Sequence, residues 1–395
     1  MRKVLVVGAG IGGLAAALAL ARRGLEVTVL ERLPAFAEAG AGIQVSPNAS
    51  RILHALGLER SLRAVAFMPE AAELRTWRRG SMVARVPFGR VLASRLGAPY
   101  LHLHRADLHA VLAEAVAQTG QVQIIHQAEC MQVEAEPEQV HVTTTAGRRY
   151  TAELLVGADG IKSTVRAVLF GPESPHFTGC VAWRGLVDAS RVDPDQVRPV
   201  AALWMGPGAH FVHYYVRGGQ RVSFVAVVER TGWERESWTE RGDPRELLEA
   251  FAGWHSTIGH VLEGADRQGC FKWALFDRDP LPRWSQGRVT LLGDACHPML
   301  PFMAQGACMA IEDAVVLAEC LGADRVVEAL GRYEGLRRPR TAQLQLGSRR
   351  QATLYHMQGP KAWLRNGALR LLGHRLVRRM NTVYQHDAWA EARAG

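Results

Sequence analysis

The sequence predicts an α/β fold: a Rossmann-like domain interrupted by a mostly antiparallel β-sheet and followed by a helical, basic C-terminal region. Three observations predict it. The chain opens with KVLVVGAGIGGLAAALALARRGLEVTVLE, where an apolar run breaks into glycines, continues as a small-residue helical stretch and returns as a β-branched run ending at Glu31. That is a βαβ unit. Between about 176 and 276 the texture changes to CVAWRGLV, HFVHYYV and RVSFVAVVE joined by glycine-rich turns, which reads as antiparallel sheet. A buried strand ending in Gly-Asp, RVTLLGDACH, then reappears at 288–297, so the first domain resumes after an insertion. The expected domains are 1–175 with 285–335, then 176–284, then 336–395.

Between the anchors, a helix is expected around Pro47 to Leu58, a strand near Tyr100 to His104, and a helix from Asp107, which can cap it, to about Gln118. Strands follow at 122–126, 139–145 and 153–157. RGGQ at 217–220 is a hairpin turn, a helix runs from about Gly306 to Leu321, and Gly359-Pro360 breaks the helical remainder in two.

Composition excludes several classes. The 395 residues suffice for two or three domains, and 48% hydrophobic with 22% charged residues is the balance of a globular protein, not of a disordered or fibrous one. The longest uncharged stretch, Val4 to Ala21, is interrupted by Gly8, Gly10, Gly12 and Gly13, so it reads as strand, turn and helix instead of a membrane span or a secretory signal. A cytoplasmic location is expected. Cysteines at 130, 180, 270, 296, 308 and 320 include no pair two residues apart, so they read as reduced thiols, with no metal site. Of the net charge of +9, residues 332–395 hold 13 Lys and Arg against three acidic residues, leaving 34 against 35 elsewhere. Trp363, Tyr384 and Trp389 are interleaved with those arginines, a pattern that amphipathic helices with arginine outside and aromatics inside produce. Nucleic acid is therefore not expected as a partner, and packing of the tail against a second copy, a homodimer, stays open.

Gly8, Gly10 and Gly13 form G-x-G-x-x-G between strand and helix, which allows a tight turn, close approach of a pyrophosphate and packing of helix on sheet. The helix N-terminus then offers free N–H groups and a positive dipole end. Eighteen residues after Gly13 stands Glu31, placed to accept from a ribose diol. The segment LLVGADGIKSTVR puts Asp159 and Gly160 after a strand and before a helix, with Arg166 in its first turns, and RVTLLGDACHPMLPFMAQGACMAIEDA puts Asp294 after another. Acidic residues at the carboxyl ends of parallel strands suit ribose or ribityl hydroxyls.

GAGIGG, the Asp-Gly turn at 159 and the Gly-Asp turn at 293, in that order and spacing, resemble the single-component FAD-dependent aromatic hydroxylases of the p-hydroxybenzoate hydroxylase superfamily over nearly the whole chain. GAGIQVSPNA at 40–49, LHRADL at 103–108, VAWRGLV at 181–187 and HPMLPFMAQGA look most like the branch containing salicylate hydroxylase, 3-hydroxybenzoate 6-hydroxylase and 6-hydroxynicotinate 3-monooxygenase. The resemblance implies a Rossmann-like FAD-binding domain, with Gly8, Gly10, Gly12 and Gly13 at the pyrophosphate, Glu31 with Arg32 at the adenosine ribose, Arg105 at the phosphate-ribityl region and Asp294 at the ribityl chain. It associates Asp159 with FAD or nicotinamide nucleotide. Gly306 and Ala307 would open a helix beside the flavin ring. Many relatives carry Asn two or three residues after that glycine, where this chain has Cys308 and Met309.

The implied reaction is hydroxylation, with or without decarboxylation, of a small hydroxylated aromatic or heteroaromatic acid such as 6-hydroxynicotinate or salicylate, using O2 and NADH or NADPH through a flavin C4a-hydroperoxide. Such a reaction needs a base for the ring hydroxyl, and an imidazole suits it. In HFVHYYV, alternation puts His210, Val212 and Tyr214 on one strand face and Phe211, His213 and Tyr215 on the other. Resemblance favours His210 as base or orienter and Tyr214 as hydroxyl partner, although their backbones lie about 13 Å apart. Gln305 would orient the substrate ring and Pro301 would lie near the reacting carbon. No second G-x-G-x-x-G appears, so NAD(P)H has no Rossmann turn of its own. The rival readings are a monooxygenase or epoxidase of the same superfamily acting on a larger natural product, and a flavin-binding protein without turnover.

Overall fold

The computed structural model describes residues 2–36, 41–230, 242–266, 270–323 and 325–394. β1 (Lys3–Val7), α1 (Ile11–Arg22) and β2 (Glu26–Leu30) form the opening βαβ unit. α1 is rich in alanine and leucine and buries ten of its residues, from Ile11 to Ala21. β3 (Gly42–Val45) and α2 (Pro47–Ala55) follow, and Gly57, with φ +72°, separates α2 from α3 (Glu59–Val65), so the helix expected to reach Leu58 ends three residues early. Next come β4 (Ala71–Thr76), β5 (Met82–Pro87), α4 (Gly89–Leu96), β6 (Leu101–His104) and α5 (Arg105–Gln118). Asp107 does not cap α5: His104 is the N-cap, and the Asp107 carboxylate in the first turn accepts from Arg217 at 3.1 and 3.2 Å.

β7 (Val122–Ile125) joins the first sheet, β8 (Cys130–Ala135), β9 (Val140–Thr144) and β10 (Arg149–Ala152) form a separate three-stranded sheet, and β11 (Leu154–Gly157), again in the first sheet, leads into α6 (Thr164–Phe170). The insertion contributes β12 (His176–Asp188), β13 (Ala201–Gly206), β14 (Ala209–Val216), β15 (Arg221–Glu229), α7 (Pro244–Ala250), α8 (Ser256–Glu263) and β16 (Phe271–Asp277). The chain returns through β17 (Ser285–Gln286) and β18 (Val289–Leu291), then runs helically through α9 (Gly306–Ala323), α10 (Val326–Tyr355), α11 (Gly359–Tyr384) and α12 (Ala388–Ala394).

The first sheet has the order β17-β18-β11-β1-β2-β7 and is parallel apart from β17. β1 is central, with Val4 opposite Val27 on one side and Leu154 on the other. Parallel strands covered on both faces read as continuous apolar runs, as VLVV and LLV do. The second sheet has the order β16-β12-β15-β14-β13-β4-β5, antiparallel except where β13 meets β4. β4 and β5 are supplied from 71–87, a segment that the sequence assigned to the first domain. Its strand pattern is obscured because Glu73, on the buried face of β4, is fully buried and held by Arg75 at 2.6 Å. A buried ion pair breaks the apolar alternation by which strands are recognised.

The tail keeps Tyr384 and Trp389 inward and most of its arginines outward, and departs from the expected amphipathicity at three positions. Trp363 on α11 is 78% exposed, whereas Arg337 on α10 is fully buried and Arg365 is buried. The Arg337 guanidinium bridges Glu312 and Asp313, each at 2.7 Å, and Arg340 adds a second cation to Glu312. A desolvated cation between two carboxylates clamps α10 onto α9. Among the described residues, no helix is long and apolar enough to cross a membrane.

Candidate active site

The opening turn is built so that packing fixes two of its glycines and leaves one open. Gly8 has φ +101°, and a Cβ there would lie 2.5 Å from the carbonyl oxygen of Ala158; a Cβ on Gly13 would lie 1.9 Å from that of Gly8. Gly10 has nothing within 4 Å. Gly10 is also the N-cap of α1 and carries no capping side chain, so the helix presents uncapped N–H groups at the carboxyl end of β1. An anionic pyrophosphate fits that donor set. Gly12 instead faces Leu292 and Ala310, where a Cβ would come within 2.9 and 3.2 Å, so it serves the packing of α1 on its neighbours. The Glu31 carboxylate accepts from the Ala9 N–H at 2.8 Å and the Leu33 N–H at 2.9 Å, which fixes its direction and leaves lone pairs for a diol. Arg32 beside it is exposed.

The other two turns are tied to the first and to each other. Gly8 lies against the backbone of Ala158 and Asp159. The Asp159 carboxylate accepts from Ser163 Oγ at 2.5 Å and the Val165 N–H at 3.1 Å, so it secures the start of α6, with Gly160 open beside it. Arg166 donates to the carbonyls of Ala295 at 3.0 Å and Ile161 at 2.8 Å, which joins the Asp159 turn to the Asp294 turn. Asp294 opens its side chain to free space while the protein surrounds it on other sides; desolvation raises its pKa, against the pull of His297 and Arg105. Gly306 at the start of α9 lies beyond it, its Cβ position 3.9 Å from Asp294 Oδ1.

The approach to α9 is braced from behind. Gln305 is buried; it donates to Ser46 Oγ at 2.9 Å and accepts from Asn48 Nδ2 at 3.2 Å, while Asn48 also donates to Glu312 at 2.7 Å. The Gln305 amide is thus held by the protein through one N–H and one oxygen lone pair. Cys308 points to Ser46 Oγ at 3.4 Å, and burial pushes its thiol up to about 11. Pro301 starts the short turn Pro301–Met303, with Phe302 buried against the second sheet. The neighbouring trio Cys296, His297 and Asp313 has the donor types of a metal site, but Asp313 is already paired to Arg337 and burial keeps the Cys296 thiol protonated, so the chemistry there suits an ion-pair anchor.

Opposite this segment stands one face of the second sheet. Cross-strand register places Arg184 beside Val225, Val225 beside Val212, Val227 beside His210 and Ser223 beside Tyr214, all on that face. His210 is buried, its ring 5.1 Å from that of Phe302. Its pKa falls well below 6.5, first through burial and then through His356. Tyr214 is buried against Gly42, where a Cβ would lie 2.6 Å from its ring, and burial raises its pKa against the opposing pull of Arg184. Gly42 belongs to the 40–49 motif; Gly40, its first residue, lies outside the described residues. His213, on the opposite face near Trp204, has its pKa lowered to about 3 by burial.

Sequence reasoning passed over two side chains here. Arg184 stacks over Trp273 at 4.5 Å, its Nε has no hydrogen-bond partner, and among the described residues no carboxylate pairs with it. Burial lowers its pKa to about 10. His356, at the end of α10, touches His210; only tertiary structure joins positions 146 residues apart.

The family model described as FAD binding domain matches residues 1–346. A 3-amino-4-hydroxybenzoate 2-monooxygenase of Streptomyces platensis is 42% identical over 93% of this chain and 92% of its own length. A 3-hydroxybenzoate 6-hydroxylase of Polaromonas naphthalenivorans is 39% identical over 92% and 90%. The crystal structure of Klebsiella pneumoniae HpxO complexed with FAD and uric acid superposes with a TM-score of 0.87 at 28% identity, covering 96% of this chain and 95% of that one. With its three turns joined around an uncapped helix start, the chain belongs to the FAD binding domain family and is an FAD-dependent monooxygenase.

Proposed function

We propose that the protein hydroxylates a small aromatic or heteroaromatic acid that already carries a ring hydroxyl, with NAD(P)H as reductant and O2 as oxidant. Arg184 carries this reading. A desolvated guanidinium without a counter-ion is costly, and a ligand carboxylate offers the compensating charge and the planar, two-pronged geometry that arginine prefers. It sits on the same sheet face as His210 and Tyr214 and is two strand spacings of about 4.8 Å each from the strand of His210, a span suited to one ring with a carboxylate at one end and a hydroxyl at the other.

When bound, FAD supplies the activated oxygen. This chain's residues do the rest. Gly8, Gly10 and Gly13 with Glu31 hold the adenosine and pyrophosphate side, and Arg105 and Asp294 the ribityl side. Pro301, Gly306 and Ala307 line the flavin-facing segment. His210 takes the proton from the ring hydroxyl, which enriches the ring in electrons, and Tyr214 holds a ring substituent by its hydroxyl. All six cysteines are free and buried, which supports a reducing, cytoplasmic setting. The names of the two relatives support the substrate class.

The test is a panel of 3-amino-4-hydroxybenzoate, 3-hydroxybenzoate, 6-hydroxynicotinate and salicylate, scored for NADH and NADPH loss and for product mass. One acid is expected to yield a hydroxylated product, with its carboxyl group retained or released as CO2, in step with reductant use. Reductant loss that no acid stimulates, with no oxygenated product, contradicts the proposal.

A further inference from the structure

We propose that His356 and Glu229 form a proton relay with His210, one that fixes which nitrogen of His210 is the base and carries the substrate's hydroxyl proton to the surface. The inference rests on the reading of His210 as base. His210 Nδ1 lies 2.7 Å from His356 Nε2, and His356 Nδ1 lies 2.9 Å from Glu229 Oε1. Both imidazoles are buried, at 2% and 4% exposure, while the Glu229 side chain is 53% exposed, so three groups lead from the sheet face to solvent. The connection is built in: the Glu229 N–H donates to the Gly208 carbonyl at 2.8 Å, and the Gly208 N–H donates to the His356 carbonyl at 3.1 Å.

An ionised carboxylate only accepts, so it places the hydrogen of His356 on Nδ1. Nε2 of His356 must then accept, which places the hydrogen of His210 on Nδ1 as well. Nε2 of His210 is left with a free lone pair. The second partner of an imidazole sets its tautomer in the same way at other catalytic histidines.

In the forward step the ring O–H bond breaks and its proton forms an N–H bond at His210 Nε2. The Nδ1 proton of His210 moves to His356 Nε2, and the Nδ1 proton of His356 moves to Glu229 and on to water. No electrons change hands, and the reverse sequence returns a proton when product leaves. The groups facing His210 are His356, Tyr355 at 5.4 Å and the apolar Phe302. Those facing His356 are Glu229, which favours its proton, and Arg365, which opposes it.

The test uses FAD-loaded protein with 15N-labelled histidine, as wild type, E229Q, E229D, H356Q and H210N, together with hydroxylation of the panel acids across pH. Wild type is expected to show the Nδ1–H tautomer at both imidazoles. E229Q should mix the tautomers and lower kcat at least about tenfold, with flavin absorbance and the KM for NAD(P)H unchanged, and E229D should recover most of the rate. Wild-type tautomers, kcat and pH profile in E229Q overturn the relay; if H210N is then still slow, the base assignment survives. Full activity in H210N removes the base assignment itself. Should H356Q lose flavin through misfolding, E229Q, altered at a half-exposed position, decides alone. If no acid is turned over, the tautomers alone decide.

Discussion

His210 and His213 stand three residues apart on one strand and meet opposite surroundings. Burial depresses both, but only His210 has an acceptor behind it and the apolar Phe302 at its edge. A depressed imidazole stays neutral as pH falls, so the base form persists below the ordinary 6.5. The acid limb of kcat/KM for the aromatic acid is therefore expected below pH 6.5, and a limb above that value contradicts the assignment. H210N should slow hydroxylation by about 10² to 10⁴-fold with flavin content unchanged, read from product formation and visible absorbance. The face carrying His210 could be read from alternation along HFVHYYV. Arg184 could not: in VAWRGLV, Val181, Ala182 and Trp183 are all fully buried, so neither face is marked as outside and the charge carries no direction.

At the scale of elements, the βαβ turn was legible because every one of its demands is local, and G13A tests it. A methyl group 1.9 Å from the Gly8 carbonyl forces the turn apart, so the variant is expected to purify without flavin and to resist reconstitution. The clamp between α9 and α10 rests on ion pairs distant in sequence. Replacing Arg337 by Met leaves Glu312 and Asp313 buried with less charge opposing them, and should cost about 3–5 kcal/mol in denaturant unfolding. Desolvation alone would raise both carboxylates; the surrounding cations hold Glu312 below 4.5 and Asp313 below 3.8. Folded pKa values below the unfolded ones give stability that is complete above about pH 5 and is lost as pH falls through them. R337M should therefore show a smaller loss of stability than wild type between pH 5 and 3. β4 and β5 were illegible for a related reason, since Glu73 and Arg75 bury a pair where a strand pattern calls for apolar residues.

For the molecule as a whole, we propose two working parts that meet along Pro301 to Gly306: a nucleotide-holding sheet with its returning strand, and a substrate-facing sheet completed by β4 and β5. The order of these parts was readable from texture, because parallel and antiparallel sheets bury their faces differently. Their interlocking was not, because strand partners 125 or more residues apart leave no local trace, as with Ala201 beside Ala72. The central claim is that a flavin and an aromatic acid share this junction, with Arg184 gripping the acid. Titration of 3-amino-4-hydroxybenzoate and 3-hydroxybenzoate into FAD-loaded wild type and R184Q, followed by flavin difference spectra, tests it most directly. The account predicts a saturable spectral change in wild type and roughly 30-fold or weaker affinity in R184Q, the loss expected on truncating a buried charge partner. Protein that stays colourless after exposure to FAD, or equal affinity in the two forms, would contradict it.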